Sequence, residues 1–369
     1  MRKTVMILTN SDSGLYDFRK EVLQRLITEG YQVIVSVPEG NYRERIEKLG
    51  CTYIGTPLNR RGMNPVKDGK LFMIYMRLLK QYKPDIVLTY TIKPNTYGGL
   101  ACRICRTPYI ANITGLGTAL ENPGMVQKLV VFLYRIGLYK ASCVFFQNEY
   151  NLKFVEGKGC IHGKTRLLPG SGVNLKEHEY ASYPDENEEV RILDVMRVMD
   201  AKGAHELLQA APIIKKEFPN VIFEIAGSYE EESRAKYEPV IKDLQEKGIL
   251  RYYGYREDLQ QIMEKSHIVL NPSYSEGVSN VLLEAAATGR PVIASNIPGC
   301  KETFEEDVTG VGCEAKDSES LIEALRKMLS YTPQQREQMG YAGRQYVEKH
   351  FDRKQVITIY LEEITQVIS

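Results

Sequence analysis

Short apolar runs recur through the first half of the chain, separated by a helix length or a loop. They are TVMILT, YQVIVSV, CTYIGT, DIVLTY, TPYIANI and SCVFFQ. Runs that are apolar on both faces are typical of parallel strands covered by helices on each side, and the amphipathic stretches between them suit crossover helices. The first half therefore predicts one doubly wound α/β domain.

The same rhythm begins again after a polar, acidic stretch near residue 185. The second series is VRILDVM, NVIFEIAG, ILRYYGY, HIVLNPS, RPVIASN and TGVGCEA. We predict two Rossmann-like domains, residues 1–175 and 176–351, because a chain of 369 residues suits two such units. The last helical stretch, residues 352–369, follows a completed second sheet and is expected to pack back on the first domain.

The apolar segments predict neither a secretory signal nor a membrane span. Polar residues interrupt the first run, and the longest later run, residues 129–138, contains Arg135, whereas a spanning helix needs about 20 apolar residues. Seven scattered cysteines give no disulfide framework, and Cys102 and Cys105 form an isolated pair. We therefore expect a cytoplasmic protein with reduced thiols.

Charge is distributed unequally between the two halves of the chain, although the net charge is only +1. Residues 1–180 carry 26 Lys and Arg against 14 Asp and Glu, and residues 181–369 carry 22 against 33. A basic half favours an anionic partner such as a membrane surface, a phosphorylated lipid or nucleic acid. Dispersed charge on a solvated surface is the alternative.

The most specific constellation is SYSEGVSNVLLEAAATGRPVIASNIPG, which follows one apolar run and precedes another. Glu276 stands in the expected loop and Glu284 stands eight positions later, two turns along the helix. Carboxylates accept hydrogen bonds from sugar hydroxyls, and backbone N–H groups of Val278, Ser279 and Asn280 at the helix start would bind a phosphate. A solvated helix residue is the alternative for Glu284.

A second constellation, DVMRVMDAKGAHELLQAA, places Arg197 and Lys202 between a strand and a helix that follows Gly203. Ligands of open α/β sheets bind outside the carboxyl ends of the strands. An arginine and a lysine there suit a diphosphate, the arginine as a planar fork and the lysine as a point charge. Two solvent-exposed bases are the alternative.

Together these segments resemble a known enzyme family over nearly the whole chain. EGVSNVLLE resembles the E-x7-E signature of retaining GT-B glycosyltransferases of family 4, and GYREDL, PGSGVN and SNIPGCKET are similarly placed. The resemblance implies two facing Rossmann-like domains with a nucleotide-sugar cleft between them. It also implies that Glu284 holds the ribose, that Glu276 contacts the transferred sugar, and that the segment at Tyr255 and Arg256 reads the base.

The first domain is similar to bacterial enzymes that extend undecaprenyl-diphosphate-linked sugars, including N-acetylgalactosaminyltransferases of protein N-glycosylation. SGLYDFR, TIKPNTYGGLA and ITGLGTALE carry this similarity. The chain lacks the histidine that many relatives in the wider family have near Thr114 and Gly115. The resemblance implies one donor contact and several acceptor contacts, at Gly14 for the donor and at Asp17, Arg19, Lys93, Asn95 and Thr114 for the acceptor.

The family transfers sugar with retention of configuration, by front-side attack that needs no protein nucleophile. Arg197 and Lys202 would then stabilise the departing diphosphate and, with Glu276, form the catalytic set. The sequence contains no Asp-x-Asp pair and no histidine cluster with ligand spacing among its five histidines. We therefore expect no metal ion and no cofactor.

The expected partners are a UDP-sugar, best an N-acetylhexosamine donor, and a lipid-diphosphate-linked saccharide acceptor used in capsule or other surface polysaccharide assembly. LNRRGMNPVKDGKLFMIYMRLLKQYK and MVQKLVVFLYRIGLYK repeat apolar residues and bases at helical spacing. Such helices bind headgroup regions, so we expect a protein peripheral on the inner face of the cell membrane. The same apolar residues would alternatively cover the sheet.

Two other functions remain open. A UDP-N-acetylglucosamine 2-epimerase shares the architecture, but the E-x7-E spacing and the Arg197 and Lys202 pair argue against it. A nucleic-acid-binding protein would use the basic half, but no RNA-binding motif or glycine-arginine repeat supports it. We expect no nucleic-acid partner.

Overall fold

The protein, seen in a computed structural model, is described over residues 2–59, 64–117, 120, 124–185 and 189–369. It consists of two compact units, Met1–Ser171 with Lys354–Ser369, and Gly172–Arg353. The sequence predicts domain boundaries after residues 175 and 351, whereas the two units meet after residues 171 and 353. Each unit contains one parallel sheet between helices, which confirms the prediction of two doubly wound Rossmann-like domains.

The N-terminal unit has a parallel sheet in the order β3-β2-β1-β4-β5-β6-β7. Its strands are β1 (Thr4–Leu8), β2 (Gln32–Val37), β3 (Thr52–Gly55), β4 (Ile86–Tyr90), β5 (Tyr109–Ile113), β6 (Cys143–Phe146) and β7 (Lys164–Leu167). Each apolar run singled out in the first half forms one of β1 to β6. Except in the edge strand β3, the side chains of these strands are buried on both faces, which is the pattern of a covered parallel sheet.

The helices of this unit are α1 (Asp12–Thr28), α2 (Arg43–Lys48), α3 (Pro65–Tyr82), α4 (Gly99–Cys105), α5 (Met125–Leu138), α6 (Glu149–Gly157) and α13 (Arg353–Ile368). A π-helical turn, Pro94–Gly98, leads into α4. Side chains of α3, α4, α5 and α6 pack on one face of the sheet. Side chains of α1, α2 and α13 pack on the other face.

The last helix, α13, completes the core of the N-terminal unit. Val356, Tyr360 and Ile364 are fully buried in one cluster with residues of α1 and the sheet. The Tyr360 hydroxyl donates to Asn112 Oδ1 at 2.5 Å, and the ring of Phe145 lies edge-on at 5.0 Å. About 350 residues of chain therefore separate the first strand from the helix that covers it.

The C-terminal unit has a six-stranded parallel sheet in the order β10-β9-β8-β11-β12-β13. Its strands are β8 (Val190–Val195), β9 (Val221–Ala226), β10 (Leu250–Gly254), β11 (Ile268–Asn271), β12 (Val292–Ser295) and β13 (Gly310–Cys313). Its helices are α7 (Ala204–Glu217), α8 (Glu231–Glu246), α9 (Leu259–Glu264), α10 (Asn280–Thr288), α11 (Ser318–Ser330) and α12 (Pro333–His350). The apolar runs of the second series form these six strands.

Two cores flank this second sheet. Side chains of α7, α8 and α11 pack on one face, and side chains of α9 and α10 pack on the other. Helix α12 begins at a capping box formed by Thr332 and Gln335 and packs its Val347 against Leu283 and Ala286 of α10. This contact holds α10 between the sheet and α12.

Candidate active site

The strand order of the C-terminal sheet creates a crevice beside β8. From β8 the chain moves first to β9 on one side, and later returns to β11 on the other side. The loops that follow β8 and β11 therefore diverge at a topological switch point, where open α/β sheets bind their ligands. Arg197, Lys202 and Glu276 lie in these loops, at residues 196–203 and 272–279, and Glu284 lies on α10, which follows the second loop.

Lys202 and Glu276 meet at this switch point. Lys202 Nζ donates to Glu276 Oε1 at 2.5 Å, and both side chains are mostly buried, 24% and 16% exposed. The backbone joins the loops as well, because Tyr274 N–H donates to the Ala201 carbonyl at 3.0 Å. The structure thus brings together two of the three predicted catalytic residues.

Gly203 allows the two loops to approach closely. Its φ is +75°, and a Cβ there would lie 2.3 Å from the Pro272 carbonyl oxygen. Only glycine accepts both the left-handed backbone and this contact. The close approach places the 3₁₀ turn of Asp200–Lys202 directly beside the β11 loop.

Arg197 has a different partner from Lys202. Its Nη1 donates to Glu230 Oε2 at 2.7 Å, and its side chain is 58% exposed. An exposed ion pair of this kind contributes about 0–1 kcal/mol, so an anionic ligand would compete for the guanidinium at little cost. The predicted role of Arg197 at the diphosphate stays a prediction.

The start of α10 differs in part from the sequence prediction. The Ser279 side chain caps the helix by accepting from Leu282 N, and Asn271 Nδ2 donates to the same hydroxyl at 2.8 Å. The Ser279 N–H donates to the Gly299 carbonyl at 2.8 Å. The expectation that this N–H binds a phosphate is therefore wrong, because the S-N-I-P-G turn occupies it.

The neighbours of Ser279 are also placed by the structure. The Val278 side chain is buried in a cluster with Leu283 and Val347, so only its backbone faces the loop. Asn280 is the first residue of α10. Its Oδ1 is buried, with no hydrogen-bond partner within the described residues. Phosphate binding by the Val278 and Asn280 N–H groups stays a prediction.

Glu284 lies on α10 beside a histidine that sequence reasoning missed. Its Oε1 is 3.9 Å from His178 Nε2, and each side chain is 18% exposed. Burial raises the pKa of Glu284, while the charges of His178 and Arg353 lower this pKa. The predicted ribose-binding carboxylate thus stands in a pocket of mixed charge, two helical turns from the loop of Glu276.

The predicted base-reading segment follows β10. The Tyr255 side chain is 62% exposed. Arg256 donates two hydrogen bonds to Asp258, at 2.7 and 2.6 Å, which holds its guanidinium along the loop. Reading of the nucleotide base by the backbone of this segment stays a prediction.

Asp194, on β8, is a second acidic group that the sequence analysis did not single out. It is 2% exposed, and its Oδ2 has no hydrogen-bond partner in the part of the chain that is described. Burial, reinforced by the charge of Glu276, raises its pKa well above the ordinary value, while Lys202 lowers this pKa. Burial thus favours the neutral form of a carboxyl group that lies near the Lys202–Glu276 pair.

The N-terminal sheet has its own switch point between β1 and β4. Gly14, expected where the backbone approaches a ligand, lies instead in the first turn of α1, and its N–H donates to the Ser11 side chain at 3.1 Å. The helix cap therefore uses this N–H, and donor binding at Gly14 stays a prediction. Asp17, one turn later, is exposed.

Arg19 and Asn95 are buried rather than presented to solvent. Arg19 is 4% exposed, donates to the Phe18 carbonyl and stands over the Tyr90 ring at 5.7 Å. Asn95 is fully buried, donates to the Asn112 carbonyl at 2.9 Å and accepts from the Thr89 hydroxyl. These contacts tie the carboxyl ends of β4 and β5 together. Acceptor binding by these two residues stays a prediction.

Lys93 and Thr114 occupy the same edge of the N-terminal sheet. Lys93 Nζ donates to Asp68 Oδ1 at 2.7 Å in a mostly buried pair. Thr114 follows β5, and residues 118, 119 and 121 of the ITGLGTALE stretch lie outside the described residues.

Thr91 is a further residue that sequence reasoning missed at this edge. Its φ is +71°, unusual for a β-branched residue, and its Oγ1 is buried with no hydrogen-bond partner among the described residues. Strained backbone of this kind clusters at functional sites.

Two family models match the chain. "Glycosyl transferase 4-like" matches residues 5–148, and "Glycosyl transferases group 1" matches residues 176–346. The two matches fall on the two units, and the second contains Arg197, Lys202, Glu276 and Glu284. The chain is therefore a glycosyltransferase, with a 4-like match in its N-terminal part and a group 1 match in its C-terminal part.

Two named bacterial enzymes have sequences similar to that of this glycosyltransferase. It is 27% identical over 87% of its length to the N,N'-diacetylbacillosaminyl-diphospho-undecaprenol alpha-1,3-N-acetylgalactosaminyltransferase of Campylobacter jejuni, 88% of which is covered. It is 28% identical over 72% of its length to the UDP-Gal:alpha-D-GlcNAc-diphosphoundecaprenol alpha-1,3-galactosyltransferase of Escherichia coli, 71% of which is covered.

The fold of the glycosyltransferase is shared with solved structures. Anabaena Alr3699/HepE, crystallised with UDP and glucose, superposes with a TM-score of 0.82 over 99% of this chain and 100% of its own, at 16% identity. The fold is therefore GT-B. At 16% identity, this structural match supports a conclusion about the fold and not about the function.

The chemistry available to the glycosyltransferase follows from its C-terminal switch point. Lys202 donates one of its three N–H groups to Glu276, and an ammonium group has two further donors that can bind an anion. Within the described residues no group of three or more His, Cys, Asp or Glu side chains is arranged to hold a metal ion. Stabilisation of a departing diphosphate by Lys202 and Arg197 stays a prediction, and so does metal independence.

Proposed function

We propose that this glycosyltransferase moves a sugar from a UDP-sugar to a lipid-diphosphate-linked saccharide in bacterial surface glycan assembly. The observation that carries the proposal is the Lys202–Glu276 pair at the switch point of the C-terminal sheet. A lysine and a carboxylate in contact there provide a cation for a diphosphate and an acceptor for sugar hydroxyls. The C-terminal unit is accordingly the donor-binding domain, and the N-terminal unit receives the acceptor.

The choice of substrates is supported by the similar proteins. The E. coli enzyme is named for a UDP-galactose donor, and both relatives are named for undecaprenol-diphosphate acceptors. The Campylobacter relative, which covers more of the chain, is an N-acetylgalactosaminyltransferase. We therefore favour a UDP-N-acetylhexosamine donor.

The proposed reaction retains the anomeric configuration. The acceptor hydroxyl oxygen bonds to the anomeric carbon on the face from which the diphosphate departs, and its proton passes to the departing phosphate oxygen. Lys202 and Arg197 stabilise the charge that grows on the diphosphate, and Glu276 orients the sugar. No protein nucleophile and no metal ion take part.

The first test measures nucleotide release from a panel of UDP- and GDP-sugars in the presence of EDTA. Each donor is assayed with and without membrane extract containing lipid-diphosphate-linked sugars, for wild type, Glu276→Ala and Lys202→Ala. We expect one UDP-sugar to stand out, and we expect both substitutions to lower kcat/KM at least about 100-fold, since each removes transition-state contacts. Lys242→Ala is the matched control, because Lys242 forms an exposed pair with Glu238 on α8.

The outcomes separate the candidate functions. UDP release without acceptor, or isomerisation of the donor, would favour the epimerase. Loss of turnover on addition of EDTA would contradict metal independence. Absence of both turnover and nucleotide binding would contradict the proposed function.

We further propose that α5 docks the N-terminal unit on the cytoplasmic membrane surface. Its exposed side chains form an apolar stripe, in which Met125 is 88% and Phe132 57% exposed, with Val126 and Leu129 beside them. Its opposite side is buried against the sheet. Lys128 and the rest of the basic half supply charge that complements anionic headgroups. Among the described residues, no helix is long and apolar enough to span the bilayer.

Vesicle flotation tests this docking. Wild type is expected to float with vesicles of phosphatidylglycerol and to float poorly with vesicles of phosphatidylcholine alone. Leu129→Ser with Phe132→Ser should lower the bound fraction at least about ten-fold, because two apolar side chains leave the interface. Ile213→Ser, a 40% exposed position on α7, is the control. Equal flotation of the variant and wild type would refute docking through α5.

A further inference from the structure

His178 is held rigidly by its backbone next to α10. Its N–H donates to the Asn174 carbonyl at 2.9 Å. The guanidinium Nη1 of Arg344, on α12, donates both to the His178 carbonyl at 2.8 Å and to the Ala287 carbonyl at 2.7 Å. One arginine therefore joins the His178 segment to the last turn of the helix that carries Glu284.

The imidazole is oriented by a second group. His178 Nδ1 lies 2.7 Å from Gln260 Oε1, on α9. The orientation of this amide is set by its Nε2, which donates to Glu264 Oε1 at 3.0 Å. An amide oxygen only accepts, so Nδ1 carries a hydrogen. The other nitrogen, Nε2, therefore faces Glu284 Oε1 at 3.9 Å.

The ionisation of the Glu284 carboxyl group depends on its burial and on the charged side chains around it. Burial favours its neutral form, and Glu177 adds to that effect. His178 and Arg353 favour the ionised form. Arg344 approaches from α12 but is also paired with Glu348 at 2.5 Å. His178 thus lies beside a carboxyl group whose ionised form it favours.

We propose that His178 is a positioning residue for donor binding, which orients Glu284 and holds it as a carboxylate ready to accept two hydroxyl groups of the nucleotide ribose. The inference rests on the proposed function, because it takes Glu284 as the ribose ligand. A ribose diol has two donors, and only the ionised carboxylate offers acceptors to both. His178 does not touch the reacting atoms; it acts through Glu284.

The test is the pH dependence of UDP affinity, measured by calorimetry between pH 5 and 8 on the full chain. For wild type we expect binding to weaken at the acid end as Glu284 becomes protonated. His178→Gln keeps an amide near Gln260 but removes the charge, so the acid limb should shift to higher pH by about 0.5–1 unit. KM for the UDP-sugar should rise in the same way, with kcat unchanged at saturation. His162→Gln, on the N-terminal unit, is the matched control.

Two further variants make each outcome decisive. Glu284→Gln should bind UDP weakly at every pH, and if it binds as wild type, or if wild type binds no UDP, the proposed function itself has failed. If Glu284→Gln loses binding while the profile of His178→Gln overlays that of wild type, only the role of His178 is overturned. Should His178→Gln not fold, Gln260→Met replaces it, since that change frees the ring and is expected to weaken UDP binding without abolishing it.

Discussion

At the scale of single residues, three acidic groups of the C-terminal unit differ in what surrounds them. Glu276 is paired with Lys202. Glu284 is buried beside a histidine, and Asp194 is buried without a hydrogen-bond partner for Oδ2 among the described residues. The first is paired with a cation, and burial raises the pKa of the other two.

Asp194→Asn tests whether the third group is neutral. Because its pKa in the folded protein is raised above the unfolded value, Asp194 contributes stability that is fully present below about pH 4 and is lost as pH rises toward the folded pKa. Asparagine carries no charge, so Tm of the variant minus Tm of wild type should increase from pH 4 to pH 8. A difference that stays constant with pH would contradict this. Asp243→Asn, an exposed position, is the control.

Sequence reasoning found the loops of the site but not all of its contacts. The Lys202–Glu276 contact follows from two motifs that end neighbouring strands, and such motifs are visible in a sequence. His178 and Asp194 were missed because a single polar residue carries no pattern. The Ser279 N–H was assigned wrongly because its acceptor, the Gly299 carbonyl, lies 20 positions away.

At the scale of elements, the edge strand β7 and the helix α13 depend on each other. Lys164 and Arg166 of β7 are partly exposed, and both reach Glu363 of α13, which is 1% exposed. Glu362 pairs with Arg166 from the solvent side, 58% exposed. The strand KTRL has no apolar run, so the hydrophobic pattern that predicts β1 to β6 passes over β7. The contacts of β7 with α13 are ion pairs rather than buried apolar contacts.

Two adjacent substitutions measure this pairing. Glu363→Ala removes a buried partner of two cations and should lower the free energy of unfolding of the N-terminal unit by about 1–2 kcal/mol. Glu362→Ala removes an exposed partner of one of them and should cost less than about 0.5 kcal/mol. Urea unfolding followed by circular dichroism distinguishes them. Equal values for the two variants would show that burial of Glu363 contributes nothing.

At the scale of the whole molecule, the two units have separate cores. The core of the C-terminal unit is built from Gly172–Arg353 alone, whereas that of the N-terminal unit needs both Met1–Ser171 and Lys354–Ser369. Each sheet also has its own switch point, as the proposed division of donor and acceptor binding between the two units requires. The repeated strand rhythm in the sequence reveals this duplication, because each sheet restarts the same apolar pattern.

Separate fragments test the independence of the cores. Residues 172–353 expressed alone should unfold cooperatively and bind UDP. Residues 1–171 alone should be poorly folded, since Val356, Tyr360 and Ile364 are missing from their core. Joining 354–369 to 1–171 through a short flexible linker should restore a cooperative melt. Cooperative melting of 1–171 without the helix would contradict this account.

The position of α13 also has a consequence for how the protein is made. Synthesis proceeds from the N-terminus, and the ribosome releases α13 after the whole C-terminal unit. The apolar side chains of α1 and the first sheet that α13 covers therefore remain open to water for as long as the remaining 200 or so residues take to emerge, about 10–40 s at typical rates. During that time the nascent chain is a natural substrate for ribosome-associated chaperones. A stop codon anywhere before α13 would leave that surface permanently uncovered.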